Sequence, residues 1–370
     1  MKVIHILHSL KFSGAEIMYV GASPLFQEKG CELTVVATAD QLGEYAPYFE
    51  KAGYAVKHIP YPPVSKLWKR LLFAVRFIRM LKAEKYQVVH NHSHGTYWMM
   101  AFCAWVAGIR SVYTFHSVFP THFYSYPYHL WLRWTAKYLF GCKFQTISDS
   151  VFTHELELYH NRTTKIYNWY NSLVFTPAKE NEKCEIRMKL NIPQDAFVIV
   201  SVGGCSPVKR HSEIIRAIPE IRKQIPNLIY LHLGTGKLEA DEIQLANKLN
   251  VSPYIRFNGN QTDVRSYLIA SDIYLMTSRY EGIPISTIEA LACKIPAILY
   301  NVPGLRDFNN EVETSIIIAE DYLVLAKSVI SLYKDLEKRN KLSENGFRFV
   351  NEKYNMLENA RRIFNLYSSK

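Results

Sequence analysis

Short runs of β-branched and aromatic residues alternate along the chain with longer segments of helical periodicity. Thirteen runs have the composition of strands: "KVIHIL", "ELTVVAT", "AVKHIPY", "QVVHNH", "SVYTFH", "KFQTIS", "KIYNW", "AFVIVSVG", "NLIYLHLG", "YIRFNG", "IYLMTS", "AILYNV" and "SIIIA". Near-continuous apolar runs separated by helices are typical of parallel sheets covered on both faces. The pattern occurs twice, so it predicts an α/β protein with two Rossmann-like domains, their parallel sheets facing a central cleft.

The boundary between the two halves is a polar segment. "TPAKENEKCEIRMKLNIPQD" is charged, contains two prolines and precedes the strand at Phe197. We therefore predict an N-terminal domain over residues 1–170 and a C-terminal domain over 171–350. The last helical pattern covers about 341–369, and its final part, 351–370, could cross back to the first domain.

Composition limits the classes of protein. The chain has 370 residues, of which 48% are hydrophobic, enough for two cores. It contains no apolar run of membrane-spanning length, and its start lacks the long apolar region of a signal peptide. The six cysteines are scattered without a C-x-x-C pair, which suggests reduced thiols in a cytosolic protein and argues against a structural zinc site.

The net charge of +11 is concentrated in the first half. Residues 1–170 hold 18 Lys and Arg against 10 Asp and Glu, whereas the remainder holds 26 against 23. A basic first half predicts an anionic partner, which composition alone leaves open as phosphates, nucleic acid or an anionic membrane.

The segment "SRYEGIPISTIEALACKIP" places two carboxylates, Glu281 and Glu289, around a predicted helix start. Pro284 suits the first helical turn, and Gly282 allows close approach of the backbone. A helix that begins at the carboxyl end of a parallel strand binds anions, and the flanking carboxylates would accept sugar hydroxyls. The segment therefore suggests a nucleotide-sugar site. The alternative is an ordinary helix whose acidic first turn complements its dipole.

Several motifs in the same order resemble those of a known family. They are "SRYEGIPISTIEALACKIPAI", "SVGGCSPVKRHSEIIRAI", the segment from "HLGTGKLEADE" to "IYLMTS", "VVHNHSHGTYWMMAFCAWVAGIRSVYTFHS", "QTISDS" and "IYNWYNSLVF". Together they resemble the family 4 retaining glycosyltransferases of the GT-B superfamily, and the likeness extends over nearly the whole chain.

The resemblance implies roles for particular residues. The catalytic set is Lys209, Glu281 and His116. Lys209 neutralises negative charge on the donor diphosphate. Glu281 binds the transferred sugar, and His116, at the end of the strand "SVYTFH", contacts the same sugar. Glu289 takes the ribose, and Arg256 in "YIRFNG" is a candidate for the base. The complete donor-binding set is Gly14, Gly203, Arg256, Gly282, Ile283, Pro284, Ile285, Ser286 and Glu289.

Two motifs depart from the family pattern. Gly204 stands where the family has an arginine toward the diphosphate, and Arg210 or Arg279 are candidates to supply that charge. The amino-terminal Gly-Gly loop is Ser-Gly-Ala-Glu here, with Gly14 as the matching glycine.

We predict no metal and no cofactor, because the nucleoside diphosphate sugar is a substrate. The chain has no D-x-D triplet, and the resemblance implies no essential metal. His90, His92 and His94 alternate in "VVHNHSH", which could be a metal site if the strand continues. Because a helix is predicted to begin near Gly95, we interpret the three histidines as loop and cleft residues.

The segment Lys66–Lys82 has six basic residues and no acidic residue. Helical spacing predicts that Leu67, Leu71, Val75 and Ile78 face the core, with Phe73, Phe77 and Met80 among the basic residues. Basic residues mixed with exposed aromatics are typical of a membrane-surface helix. The aromatic segment Phe119–Phe140 favours the same interpretation, and packing of Phe73 and Phe77 on a neighbouring helix is the alternative.

The resulting hypothesis is a hexosyltransferase that uses a UDP-sugar in preference to a GDP-sugar. Its acceptor would be lipid-linked or a saccharide, in bacterial surface polysaccharide synthesis. We expect a cytoplasmic protein, peripheral on the inner face of the cell membrane. The alternatives are a nucleotide-sugar epimerase on the same fold and a non-catalytic nucleotide-sugar-binding subunit. A nucleic-acid reader is disfavoured because no nucleic-acid motif appears.

Overall fold

The computed structural model describes residues 1–118 and 123–368, which divide into two units. The first unit consists of Met1–Asn168 and Met356–Lys370, and the second of Trp169–Asn355. Each unit is built around its own parallel sheet. Phe119–His122, part of the aromatic segment, lie outside the described residues.

The first unit has a seven-stranded sheet in the order β3-β2-β1-β4-β5-β6-β7. Its strands are β1 (Lys2–Leu7), β2 (Glu32–Ala37), β3 (Ala55–His58), β4 (Val88–Asn91), β5 (Arg110–Phe115), β6 (Lys143–Thr146) and β7 (Thr164–Lys165). The helices between them are α1 (Gly14–Glu28), α2 (Ala46–Lys51), α3 (Leu67–Ala83), α4 (Tyr97–Ala107), α5 (Tyr126–Trp134), which continues as a π-helical turn over Thr135–Leu139, and α6 (Asp149–Tyr159).

The second unit has a six-stranded sheet in the order β10-β9-β8-β11-β12-β13. Its strands are β8 (Phe197–Val202), β9 (Leu228–Leu233), β10 (Ile255–Phe257), β11 (Ile273–Met276), β12 (Ala297–Tyr300) and β13 (Ser315–Ile318). Its helices are α7 (Glu182–Lys189), α8 (His211–Arg222), α9 (Glu239–Lys248), α10 (Val264–Ala270), α11 (Ile285–Ala292), α12 (Tyr322–Lys334) and α13 (Leu336–Lys353).

Both sheets have the doubly wound strand order, with every pair parallel. The central strands are buried along nearly their whole length, which explains their continuous apolar sequences. The strand order reverses between β1 and β4 in the first sheet and between β8 and β11 in the second. Ligands bind at the carboxyl ends of strands at such switch points. The predicted fold class of two Rossmann-like units with parallel sheets is confirmed.

The C-terminal helical segment differs from the prediction of one helix over about 341–369. Helix α13 ends at Lys353, and a separate helix, α14 (Met356–Ser368), follows. The C-terminal helix therefore begins at Met356 rather than at residue 351. It packs within the first unit, where the Tyr367 hydroxyl lies 2.6 Å from His90 Nδ1 and the Arg362 side chain donates to the Lys165 carbonyl.

Helix α3 buries a different face from the one predicted. Leu67, Leu71 and Val75, expected in the core, are exposed, whereas Phe73 and Phe77 are buried. The two phenylalanine rings stack at 5.5 Å and pack in the hydrophobic core beside α4. Aromatic rings offer more apolar area than the aliphatic residues opposite, so burying them is the more stabilising choice. The alternative of packing on a neighbouring helix is therefore correct for Phe73 and Phe77.

Candidate active site

The loops that follow β8 and β11 meet at the switch point of the second sheet. Lys209 lies in the first loop and Glu281 in the second, and Lys209 Nζ is 2.8 Å from Glu281 Oε1. The backbones are joined as well, because the N–H of Arg279 donates to the Val208 carbonyl at 2.9 Å. The Thr277 hydroxyl donates to the Lys209 carbonyl at 3.1 Å. The fold therefore holds a lysine and a carboxylate together at the edge where ligands are expected.

Two glycines shape the β8–α8 loop. A Cβ atom on Gly203 would lie 3.1 Å from Cε of Lys209, so the glycine leaves room for the lysine stem to cross the backbone. A Cβ on Gly204 would lie 3.2 Å from the Thr235 carbonyl oxygen, and Gly204 has no left-handed φ. The φ angle therefore does not require a glycine here, but a side chain at this position would need the Thr235 backbone to shift slightly.

Helix α11 begins at this edge, and Pro284 is its N-cap rather than a residue of its first turn. The Pro284 carbonyl accepts from the N–H groups of Thr287 and Ile288. The first amides of the helix lack partners within it, so they point toward the end where Glu281 lies. Ser286 is held by the strands, because its hydroxyl lies 2.9 Å from the Tyr274 hydroxyl and donates to the Val202 carbonyl.

Glu289 lies one turn into α11 and is nearly fully buried. Its carboxyl group makes no hydrogen bond within the part of the chain that the structure describes. Burial raises the pKa of Glu289 to about 8, so the carboxyl is mostly protonated at neutral pH. A buried carboxyl without a partner is uncommon in a folded protein and suggests that a ligand completes the site. Gly282, Ile283 and Ile285 are also buried.

The three arginines that the sequence suggested as donor contacts have different surroundings. The guanidinium of Arg210 is bonded to Glu320 and lies 3.6 Å from Glu213. Arg279 is exposed and makes no ion pair among the described residues. Both terminal nitrogens of Arg256 donate to backbone carbonyls just beyond α7, at 2.8 Å each. The structure thus gives Arg256 a helix-capping role, and its contact with the base stays a prediction.

The carboxyl edge of the first sheet carries a row of histidine rings. His116 follows β5, and its Nε2 lies 3.0 Å from Nδ1 of His92, which follows β4. Nε2 of His92 in turn lies 3.1 Å from Nδ1 of His5 in β1. Burial lowers the pKa of His116 to about 4 and that of His5 to about 3, so these rings are neutral at physiological pH. A neutral imidazole can both donate and accept a hydrogen bond.

His90 is a core residue, contrary to the expectation of a loop or cleft position. It lies within β4, and its ring nitrogens contact the Tyr367 hydroxyl at 2.6 Å and the Thr114 hydroxyl at 2.7 Å. His94 lies beyond the strand, with Nδ1 3.0 Å from the Tyr113 hydroxyl.

Gly14 is the first residue of α1, and the same helix end contains a carboxyl group that the motifs did not predict. Glu16 is buried there and accepts a hydrogen bond from the Ser13 hydroxyl. Burial raises the pKa of Glu16 to about 7. The sequence feature that predicts this contact is a serine followed three residues later by a glutamate at the start of a helix.

Comparison with known proteins identifies the family. Residues 182–349 match the family described as "Glycosyl transferases group 1", and residues 12–172 match "Glycosyltransferase Family 4". The chain belongs to the GT4-like glycosyltransferases of the GT-B fold.

Individual relatives of this glycosyltransferase are distant in sequence. It is 24% identical to the Escherichia coli UDP-Gal:alpha-D-GlcNAc-diphosphoundecaprenol alpha-1,3-galactosyltransferase, over 81% of this chain and 80% of that protein. It is 26% identical to a Corynebacterium glutamicum GDP-mannose-dependent monoacylated alpha-(1-6)-phosphatidylinositol monomannoside mannosyltransferase, over 53% of each. The crystal structure of Anabaena HepE in complex with UDP superposes with a TM-score of 0.85 at 17% identity, over 100% of both chains.

The first unit of the glycosyltransferase also exposes an apolar and basic surface on α3. Leu67, Trp68, Leu71, Leu72 and Val75 are exposed there. The exposed basic side chains of the same helix and its cap are those of Lys66, Lys69, Arg76, Arg79 and Lys82. We call these two groups together the α3 surface.

Arg70 does not belong to the α3 surface. It stacks on the Tyr61 ring at 4.7 Å and donates to the Pro62 carbonyl. Among the described helices, none has the length and apolarity needed to cross a bilayer.

Proposed function

We propose that this glycosyltransferase moves a hexose from a nucleoside diphosphate sugar to a lipid-linked or saccharide acceptor, in the synthesis of a surface polysaccharide or glycolipid. One observation carries the proposal. The Lys209–Glu281 pair lies at the start of α11, beside a buried carboxyl, Glu289, that has no partner among the described residues. Positive charge next to two sugar-binding carboxyl groups matches a sugar diphosphate.

Each group has a role in this assignment. The free amides of α11 and the ammonium group of Lys209 neutralise the diphosphate. Glu289 accepts hydrogen bonds from the two ribose hydroxyls, and Glu281 accepts them from the transferred sugar. His116, a neutral imidazole, hydrogen-bonds a hydroxyl of that sugar.

The proposed chemistry is a front-face displacement with retention of configuration. The bond between the anomeric carbon and the phosphate oxygen breaks, and the acceptor hydroxyl oxygen bonds to that carbon from the same face. The acceptor's proton passes to the leaving phosphate oxygen. The protein contributes positioning and charge stabilisation, because Lys209 opposes the negative charge that grows on the diphosphate. We propose that no metal ion is needed at the diphosphate.

Arg279 is the better candidate to supply the charge that the family places at the Gly204 position. Its side chain is exposed without an ion pair among the described residues, whereas Arg210 is held by Glu320 and Glu213. The backbone hydrogen bond from Arg279 to Val208 keeps it next to the loop of Lys209. A guanidinium is suited to phosphate oxygens because its N–H groups bond them in pairs.

The donor base is proposed to be uracil. The galactosyltransferase relative is named for a UDP-sugar and HepE was crystallised with UDP, whereas the mannosyltransferase relative depends on GDP-mannose. A thermal-shift screen against UDP-, GDP- and ADP-sugars decides among them, because a ligand that binds the native state raises the melting temperature. A shift with GDP-sugars but not UDP-sugars would overturn the base assignment.

The deciding assay for transfer is release of free nucleoside diphosphate that depends on an added acceptor. An epimerase would convert the donor sugar without releasing the diphosphate. A non-catalytic subunit would bind the donor and release nothing.

We also propose that the α3 surface contacts an anionic membrane, which would bring the enzyme to a lipid-linked acceptor. Exposed leucine and tryptophan side chains mixed with lysine and arginine are typical of helices that lie in the bilayer interface. The exposed rings of Trp131, Trp134 and Tyr138 add interfacial aromatics in the same unit.

A further inference from the structure

Four potential metal ligands converge at one buried point of the second unit. Cys205 follows β8, His211 begins α8, His232 lies in β9 and Glu242 lies in α9. All four residues are buried, and one ligand atom of each lies within 4.8 Å of those of the other three. We call these four residues the C-H-H-E cluster.

The distances within the C-H-H-E cluster fit a tetrahedral ion. His232 Nε2 lies 2.9 Å from His211 Nδ1, 3.1 Å from Glu242 Oε2 and 3.8 Å from Cys205 Sγ. His211 Nδ1 lies 3.6 Å from Glu242 Oε1. Ligand atoms bound to zinc at the usual bond lengths are about 3.3–3.7 Å apart at the corners of a tetrahedron. These four separations extend to either side of that range and the remaining ones are at most 4.8 Å, so side-chain movements would bring the four ligands onto a zinc ion.

Hydrogen bonds account poorly for the same arrangement. Each central ring nitrogen donates or accepts according to its tautomer, and a proton shared between the two nitrogens is not available to the carboxylate oxygens of Glu242. A cation at the centre would replace crowded lone pairs with bonds.

We propose that the C-H-H-E cluster binds a structural zinc ion. On binding, the Cys205 thiol releases its proton to solvent, and thiolate and carboxylate together balance the two positive charges of zinc. Sulfur, nitrogen and oxygen ligands in a four-coordinate site suit zinc rather than magnesium or calcium. Because the protein supplies all four ligands, no position stays open for substrate, which makes the site structural rather than catalytic.

A zinc ion bound at the C-H-H-E cluster would hold the β8–α8 loop against β9 and α9. The Cys205 N–H donates to the Thr235 carbonyl at 3.0 Å, and the Cys205 carbonyl accepts from Leu238 at 3.2 Å. A Cβ on Gly236 would lie 2.4 Å from the Cys205 carbonyl oxygen, so the β9–α9 loop packs directly on this backbone. Cys205 and His211 bracket Lys209 in the chain. If the proposed function holds, the zinc site would also fix the loop that opposes the donor diphosphate.

The test is the metal content of the full chain, purified without chelators and without a metal-affinity column. Elemental analysis should find one zinc ion per chain. Cys205→Ser, His232→Asn and Glu242→Gln should each reduce bound zinc to background. The matched control is Cys293→Ser, because Cys293 is a buried cysteine of the same unit outside the cluster. It should keep the full zinc content.

Cobalt(II) substitution identifies the ligands independently of activity. Chain depleted of zinc and reloaded with cobalt should show the ligand-field bands of a tetrahedral ion and a thiolate-to-cobalt charge-transfer band. Cys205→Ser should remove the charge-transfer band, and Cys293→Ser should retain it. Chelation should lower the melting temperature of the wild type and of Cys293→Ser, but not that of Cys205→Ser.

Two results would overturn the proposal. One is a wild-type chain without stoichiometric zinc whose melting temperature does not rise when zinc is added. The other is full zinc retention in Cys205→Ser. If the variants fail to fold, the zinc content and cobalt spectrum of the wild type still decide. Loss of sugar transfer with zinc retained would count against the proposed function and not against the zinc site.

Discussion

The carboxyl ends of the two sheets carry different chemistry, although both sheets have the same strand order. In the first unit His116 and His92 contact each other ring to ring, and burial keeps the pKa of each well below neutral pH. In the second unit Lys209 and Glu281 form an ion pair beside the start of α11. Neutral imidazoles suit sugar hydroxyls, whereas fixed charge suits a leaving diphosphate. Function here depends on the groups at the switch point and not on the topology.

Each unit also contains one buried cluster with histidines, and the two clusters differ in their chemistry. His5, His90 and His92 also bring ring nitrogens within 4.8 Å of one another. Both nitrogens of His90 and of His92 already have hydrogen-bond partners, and no carboxylate or thiol belongs to this group. The C-H-H-E cluster of the second unit has two groups that can carry negative charge. A cation therefore fits the second group and not the first.

The largest loss of activity is expected at the carboxyl edge of the second sheet, where Lys209 and Glu281 form their ion pair. Lys209→Ala should reduce acceptor-dependent transfer by on the order of 10²-fold or more, because a preorganised charge opposite the leaving group is lost. The measurement is kcat at saturating donor. The control is Lys237→Ala, which removes an exposed lysine from the neighbouring β9–α9 loop and should have little effect. A Lys209→Ala enzyme within a few-fold of wild type would refute this picture of leaving-group stabilisation.

The two glutamates should separate binding from turnover. Glu289→Ala should weaken binding of free nucleoside diphosphate about 10- to 100-fold, the usual range for losing hydrogen bonds to a charged group. Glu281→Ala should lower kcat and leave affinity for the free nucleotide nearly unchanged. Isothermal titration with UDP, together with steady-state kinetics, measures both. Equal effects of the two variants on free UDP would contradict the assignment of Glu289 to the ribose.

Glu289 should also make nucleotide binding depend on pH. Its pKa of about 8 lies above the usual carboxyl value, so the free protein holds a proton there at neutral pH. The carboxylate is the form that accepts two ribose hydroxyls, so binding below pH 8 must release that proton. Affinity should rise with pH by up to about tenfold per unit and level off above pH 8. Glu289→Gln should show a flat profile over this window. A wild-type affinity that falls between pH 6 and pH 8 would disprove the linkage.

The sequence was sufficient to predict the two sheets. Twelve of the thirteen predicted runs contain a strand of three or more residues, because continuous apolar segments have few other ways to be buried in parallel sheets. The run "KIYNW" contributes only Lys165, to the two-residue strand β7. The pairing of Lys209 with Glu281 could not be predicted without the resemblance. The two residues are far apart in the sequence, and only adjacency of β8 and β11 brings them together.

Helix faces and dispersed clusters were harder to predict. Two stripes of α3 are apolar, and periodicity does not show which of them meets α4. The C-H-H-E cluster has no short ligand spacing, and the scattered cysteines therefore predicted no structural zinc site. Its ligands come from four elements that only the folded sheet assembles.

A smaller loss of activity is expected at the carboxyl edge of the first sheet, where the neutral rings of His92 and His116 are in contact. His92→Phe should lower kcat by about twofold to tenfold, because it removes one hydrogen bond that orients His116. His92 acts through His116, so the double variant His92→Phe, His116→Ala should be no slower than His116→Ala alone. The exposed His8 provides the control, and His8→Phe should be neutral. Fully additive losses in the double variant would show that His92 has a separate structural role.

The smallest effect on the chemical step is expected from the α3 surface. Changing Lys69, Arg76 and Arg79 to Glu should abolish sedimentation with anionic liposomes, because each basic residue near such a surface contributes about 1 kcal/mol. All three side chains are exposed, so the fold should persist, and transfer to a soluble acceptor should stay within twofold. Wild-type binding should weaken as salt screens the attraction.

A control with the same charge change in the second unit, Lys189, Lys248 and Lys327 to Glu, should sediment like wild type. If the wild type does not sediment with anionic liposomes, the α3 surface is not a membrane site. A soluble saccharide then becomes the expected acceptor.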